Sequence, residues 1–240
     1  HKTWIEKLTA SLLNDWLQRW RKLGTNLASS TGPAWTLNGL LELGSYEDTG
    51  RIELGYTPLT GSDELRLAIA QMHDLDPEWV VVTNGATEAL HLIFAVVGKP
   101  GSHVLIPSPC YPAVPAIAQL HCLSALSYPL IRESHFKIDD QQILSLTTAG
   151  TTSLVVVNTP HNPTGAVADR SVTLRLAELL EARAIPLVVD EVFHPVYHGE
   201  SVASLAGGRN IILVGDLSKA LSLPGLRMGW IVEPDAERRS

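Results

Sequence analysis

From residue 62 onward the apolar positions of the chain fall into two alternating patterns. Runs of strand length, WVVVTN (79–84), HVLIP (103–107), SLVVVN (153–158), IPLVVD (185–190), NIILVG (210–215) and GWIV (229–232), are unbroken in Val, Ile and Leu. Between them lie stretches with helical period, including SDELRLAIAQMH (62–73), ATEALHLIFAVV (86–97) and RSVTLRLAELLEARA (170–184). Unbroken apolar runs predict strands covered on both faces, and their alternation with helices predicts a mainly parallel sheet in a three-layer α/β/α arrangement. Ahead of this region, Ile5, Leu8, Leu12, Trp16 and Trp20 sit at helical spacing and Gly24 closes the segment. That spacing predicts an amphipathic helix whose Trp stripe packs on a core or a partner subunit. Residues 26–56 are irregular and carry Gly, Ser and Pro.

Composition narrows the picture modestly. With 240 residues, 45% of them hydrophobic, the chain can bury one sizeable core. A formal net charge of −7 with no basic cluster argues against a nucleic-acid surface. Cys110 and Cys122 are the only cysteines and form no CxxC pair, so a reducing, cytoplasmic setting is expected. The longest apolar stretch, LHLIFAVVG (90–98), is far short of the roughly 20 residues that span a bilayer, and no signal peptide is visible, although the chain begins at His1 and not at Met.

Open α/β sheets bind ligands at the carboxyl ends of their strands. The polar residues there are Asn84-Gly85, Asn158, Asp190, Gly215-Asp216 and, just beyond, Lys219. Gly85 turns the chain into a helix beginning near Ala86-Thr87, where free N–H groups and the helix dipole suit an anion, although an ordinary strand–helix turn has the same look. Tyr111 follows another strand and could stack on a flat ring or fill the core edge. Asn162-Pro163-Thr164-Gly165 is a tight polar turn after a buried strand. Asp190 needs a donor or a cation to lie at the mouth of such a sheet, whether a helix cap or a protonated ring nitrogen. His194 and His198 are four apart, but Pro195 disfavours a helix between them and no third ligand is apparent, so no metal is expected. Lys219 is either a solvated surface residue or, in an apolar cleft, an amine nucleophile able to form a Schiff base. An anion turn, an aromatic platform, an Asn, an Asp and a Lys, each at a strand's end, together describe a site for a phosphorylated, aromatic, basic aldehyde.

In YTPLTGSDELRLAIA, TNGATEALHL, PSPCYPAV, NTPHNPTG, VVDEVF and DLSKALSLPGLRMGW, in that order from about Gly55 to Ile231, the chain resembles the class I/II aminotransferases of pyridoxal-phosphate fold type I. The resemblance implies a pyridoxal 5′-phosphate cofactor with Lys219 as its Schiff-base lysine and proton carrier. It implies Asp190 at the ring nitrogen, Asn162 at the ring oxygen and Tyr111 on the ring face. Gly85, Ala86, Thr87, Ser218 and Arg227 would hold the phosphate. Tyr56 would reach across a homodimer to the neighbouring subunit's phosphate. Gly32, in LASSTGPAW, and Asn162 would face the amino-acid or keto-acid substrate.

By the same resemblance residues 51–240 form the cofactor-binding large domain behind a 1–50 substrate-side segment, and the family's C-terminal small domain is absent from the sequence. Two positions depart from the family pattern. Phe193 stands where tyrosine is frequent, and Asp216 where many members have a phosphate-binding serine. The expected activity is amino-acid transamination. The alternatives are another reaction on the same scaffold (decarboxylation, β- or γ-elimination, or cyclisation like that of capreomycidine synthase, which the opening residues faintly resemble) or an inactive fragment. A sensor module would carry a basic helix-turn-helix domain, which this sequence lacks.

Overall fold

Most helices of the chain start where a side chain can cap them. In the computed structural model, which describes residues 28–44 and 55–239 together with Trp16, Leu17, Arg19 and Trp20, Thr36 caps α1 (Leu37–Leu41) by accepting from the Gly39 N–H. Ser62 accepts from the Leu65 N–H at the start of α2 (Asp63–His73). That helix ends on Asp74 in the left-handed conformation, a position that Asp tolerates better than most residues. The helix α3 (Ala86–Val97) has no such cap: Gly85 precedes it at φ 81° and no side chain bonds its first turn, as is also the case for the helix that follows Pro112. Further on come α4 (Ala113–Leu120), α5 (Asp140–Leu146), capped by Asp139, α6 (Arg170–Glu181), capped by Asp169, and α7 (Ala236–Arg239). Trp16, Leu17, Arg19 and Trp20 are helical, and the rest of the helix expected over residues 1–24 lies outside the described residues.

The strands β1 (Val80–Thr83), β2 (His103–Ser108), β3 (Ser124–Pro129), β4 (Thr152–Asn158), β5 (Leu187–Asp190), β6 (Ile211–Asp216) and β7 (Gly229–Val232) form one seven-stranded sheet in the order β1-β7-β6-β5-β4-β2-β3. β7 is antiparallel to both of its neighbours, and the other pairs are parallel. Each of the six apolar runs expected to be strands contains one or most of one. β3 was not expected because its residues, SALSYP, are exposed except Tyr128, and such an edge strand lacks the apolar signature of a central one. Tyr128 is buried and donates to the Val156 carbonyl at 2.8 Å. The pattern also did not predict α4, which contains Pro115, or the short, polar α5.

Successive residues of the central strands feed two apolar layers. Leu154, Val156, Val188, Ile212 and Val214 pack with Leu90, Ile93 and Phe94 of α3. Val155, Val157, Leu187, Val189 and Leu213 pack with Ile69 of α2 and Leu176 and Leu180 of α6. Burial of both faces brings the carboxyl ends of β4, β5 and β6 to one rim, where neighbouring strands are in register at Asn158–Asp190 and Asp190–Val214. No helix among the described residues is long and apolar enough to cross a membrane, and Cys110 and Cys122 are free thiols.

Arg66 ties α2 to the start of β1. It is 7% exposed and donates to the carbonyls of Pro77 and Val80 and to the Glu78 carboxylate. Arg66→Ala strands those buried carbonyls, and urea titration is expected to show a loss of about 2–4 kcal/mol. A loss below about 0.5 kcal/mol, the level of an ordinary surface substitution, would show that the guanidinium does not fasten these elements.

Candidate active site

The turn from β1 into α3 is built around missing side chains. Gly85 takes φ 81°, and a Cβ there would lie 3.0 Å from Cζ of Arg227. Gly229, the first residue of β7, faces the same turn: a Cβ on it would lie 2.7 Å from the Ala86 nitrogen and 2.8 Å from the Gly85 Cα. Arg227, itself left-handed at φ 53°, donates to the carbonyls of Pro224 at 3.1 Å and Asn84 at 3.4 Å, which sets its guanidinium against the turn. On the other side Glu88 accepts from the Asn84 N–H. Gly85 and Ala86 are buried and Thr87 is exposed. An uncapped helix start, a fixed guanidinium and an open hydroxyl make a cradle suited to an oxyanion such as phosphate.

A second group lies at the ends of β4 and β5. Asn158 donates through Nδ2 to the Asp190 carbonyl at 3.0 Å, and its Oδ1 accepts from the Asn162 N–H at 2.7 Å. Asn158 thereby holds the Asn162 turn against the end of β5. The Asp190 carboxylate is 7% exposed and accepts from the Val192 N–H at 3.1 Å, and among the described residues no ion pair reaches it. Burial pushes its pKa up to about 7, the Val192 N–H opposing and the carboxylates of Asp216 and Glu191 adding to the rise. A carboxylate kept here wants a cationic partner.

The third group is the 217–228 loop between β6 and β7. Lys219 is half-buried; its Nζ donates to Ser30 Oγ at 2.8 Å and lies 5.9 Å from the centre of the Phe193 ring. The N-terminal segment is attached to the same loop twice more, by Gly32 N–H to Ser222 Oγ at 2.8 Å and Trp35 Nε1 to the Leu221 carbonyl at 3.0 Å. A Cβ at Gly32 would meet Ser222 Oγ at 2.8 Å, so a side chain there would turn that hydroxyl away from the Gly32 N–H. Asp216 accepts from the Ser218 N–H at 2.9 Å and so closes the turn that leads to Lys219. With His73, His194 and Trp230 it also lines a cavity of about 270 Å³. His194 itself pairs with the Tyr197 hydroxyl at 2.6 Å.

The fold thus draws the expected site residues into three clusters: Gly85, Ala86, Thr87 and Arg227; Asn162 and Asp190; Lys219, Ser218 and Gly32. The 217–228 loop links the first to the third, and Phe193, three residues past Asp190, links the second to Lys219. Two expected residues stand apart. Tyr111 is 39% exposed ahead of α4, and Tyr56 is fully exposed. Sequence reasoning singled out neither Gly229 nor Ser30. Gly229 could have been suspected as a glycine opening an apolar strand, where close approach of another backbone is a common cause. Nothing in the pattern marks Ser30 among its serine and threonine neighbours.

The buried Asp190 gives a pH signature to the cofactor-free protein. Its folded pKa is raised above the unfolded value, so the folded state holds the proton longer and stability falls as pH climbs from about 4 to about 7. Asp190→Asn lacks this slope. Unfolding free energies of the two proteins from urea titration are expected to diverge over that window by up to roughly 3–4 kcal/mol in favour of the Asn variant and to run parallel above it. Parallel curves throughout would mean that Asp190 ionises in the native state as it does in water.

A family profile described as aminotransferase class I and II matches residues 22–239. Bovine tyrosine aminotransferase is 29% identical over 197 residues, 78% of this chain and 44% of that protein. Capreomycidine synthase of Streptomyces vinaceus is 32% identical over 237 residues, 95% of this chain and 61% of the enzyme. Among solved structures, a PLP-dependent aminotransferase from Streptococcus suis superposes with a TM-score of 0.84 at 26% identity, covering 94% of this chain and 62% of that one. The chain therefore spans roughly half to two thirds of the length of the relatives it matches. Its sheet, the cradle at Gly85 and the lysine loop carry the same meaning as the profile: the chain belongs to the class I and II aminotransferase family.

Proposed function

We propose that this chain is the cofactor-binding part of a pyridoxal 5′-phosphate-dependent amino-acid aminotransferase that exchanges an amino group between an amino acid and a keto acid. The observation that carries the reading is the 217–228 loop, which sets Lys219 beside Phe193 while its Arg227 packs against the bare Gly85 turn. The residues fit the cofactor on chemical grounds. The cradle has donors for a phosphate, and the buried Asp190 carboxylate is complementary to a protonated ring nitrogen.

When bound, pyridoxal phosphate supplies an aldehyde for amine exchange and an electron sink. The chain's residues do the rest. Gly85, Ala86, Thr87, Ser218 and Arg227 hold the phosphate. Asp190 would keep the ring nitrogen protonated, Asn162 would donate to the ring oxygen, and Tyr111 would cover a ring face. Lys219 would offer its amine to the aldehyde and would hold or take the proton at the substrate's Cα. Gly32 lines the substrate side. Phe193 contributes a ring without a hydroxyl, so it leaves the ring oxygen to Asn162. Tyr56, fully exposed here, serves the phosphate of a second subunit in a homodimer. In this reading residues 51–240 are the large domain, 1–50 the substrate-side segment, and the setting is the cytoplasm.

The test is spectroscopic. After incubation with pyridoxal phosphate and removal of the free compound, the protein is expected to keep a visible absorption band that Lys219→Ala lacks. Amino acids should convert the cofactor to pyridoxamine phosphate, with the rate falling about 10²–10⁴-fold in Lys219→Ala. Retained cofactor with release of carbon dioxide, ammonia or a cyclised product in place of pyridoxamine phosphate would replace transamination by another reaction on the scaffold. No retained cofactor would overturn the reading for this chain.

A further inference from the structure

The N-terminal segment is fastened to the lysine loop by hydrogen bonds of different kinds. Two are indifferent to chemistry at Lys219: the Gly32 N–H to Ser222 Oγ and the Trp35 indole N–H to the Leu221 carbonyl. The third is not, because its donor is the Lys219 amine and its acceptor is Ser30 Oγ, 2.8 Å away. Local bonds shape the segment around that hydroxyl. Ser29 Oγ lies 2.9 Å from Thr31 Oγ1 and accepts from the Thr31 N–H, forming a short turn with Ser30 at its centre. Gly32, two residues on, donates its N–H to Ser222 Oγ. Ser30 is therefore shaped by a local turn and held over the loop from its C-terminal side, by Gly32 and Trp35.

A free lysine amine carries two or three N–H donors and can satisfy Ser30 while pointing elsewhere. Condensation with an aldehyde forms a C=N bond, expels one water and leaves the nitrogen at most one N–H, which lies in the plane of the new double bond. The same nitrogen cannot then serve Ser30 as it does in this structure. We propose that Ser30 is a positioning residue for Lys219, accepting a hydrogen bond from its amine whenever the amine is free, so that the 28–35 segment is fastened more firmly in that state than when the nitrogen is covalently engaged. The proposal rests on the reading of Lys219 as the Schiff-base lysine. Its consequence for the reaction is directional. Release of the lysine, the step that makes it available as a base, also draws the substrate-side segment onto the site.

Hydrogen exchange of the full chain, read on peptides covering residues 28–35, tests the coupling. Four proteins are compared, wild type, Ser30→Ala, Ser30→Thr and Lys219→Ala, each cofactor-free and after incubation with pyridoxal phosphate and removal of the free compound, which leaves the nitrogen fixed in the C=N linkage and adds a mass that native mass spectrometry counts. In the wild type the fixed form is expected to exchange about threefold faster over this segment than the free form, the size of one solvent-exposed hydrogen bond. Ser30→Ala should exchange at the faster rate in both states, Ser30→Thr should restore the difference, and Lys219→Ala should show none. A merely structural serine would change the rates but leave the dependence on the state of Lys219 intact, and that result would overturn the proposal. Equal exchange in the free and fixed wild type would overturn it as well. If the wild type gains no mass, the cofactor reading fails on its own, and the cofactor-free proteins decide the rest: equal protection in wild type, Ser30→Ala and Lys219→Ala would remove Ser30 from any role at Lys219.

Discussion

At the site two stretches of backbone meet with no side chain between them. Gly229 starts β7 against the turn at Gly85 and Ala86, at a separation that no Cβ would fit. The arrangement of the site follows from this contact. Because β7 is inserted antiparallel between β1 and β6, the loop that feeds it must return across the rim where the parallel strands end. That return carries Lys219 past the end of β5 and then turns Arg227, in a left-handed conformation, onto the start of α3. Any side chain at Gly229 would push β7 off the turn and carry Arg227 with it. Gly215, one residue before the end of β6, is bare for a related reason: a Cβ there would run into the Trp230 indole.

The rim holds groups that are unfavourable until something is bound. Asp190 sits in surroundings that resist its charge, α3 begins without a cap, and a guanidinium is aimed at that beginning. In an ordinary domain such features would be relieved by a salt bridge or an N-terminal Ser or Asp, as they are at α2, α5 and α6. A positive cradle near one strand end and a hydrogen-bond-poor carboxylate near another are complementary in charge to a molecule with an anion at one end and a basic nitrogen at the other. Asp216 illustrates the opposite case. Its carboxylate is committed to the Ser218 N–H, which lets a negative group sit close to Lys219 as part of the backbone turn and not as a free charge facing a phosphate.

Much of this was legible in the sequence, for physical reasons that also explain the gaps. Strands buried on both faces must be apolar throughout, so β4, β5 and β6 announce themselves, and polar residues that end them stand out as the rim. The edge strand β3 needs only Tyr128 to be buried and leaves no such trace. The turn at Gly85 could be read as an anion site, whereas Gly229 offered at most the hint of a close backbone approach, and which backbone it meets depends on the strand order. The direction of the Asp216 side chain was open from sequence, since a strand-end aspartate can face a ligand, a cap or solvent equally well. Ser30 lay furthest from inference: a serine in an irregular stretch gains its place only when that stretch is laid over a loop far along the chain.

The pairing of β1 with β7 also orders events in time. Val80 and Val232 are partners across some 150 residues of sequence, so β1 has no strand beside it until nearly all of the described chain has been made. A ribosome delivers the Gly85 turn early and Arg227 late, and the intervening strands can pair among themselves in the meantime. The cradle at the Gly85 turn is therefore among the last pieces of the described fold to be assembled, and it is complete only once β7 has joined β1 to the rest of the sheet.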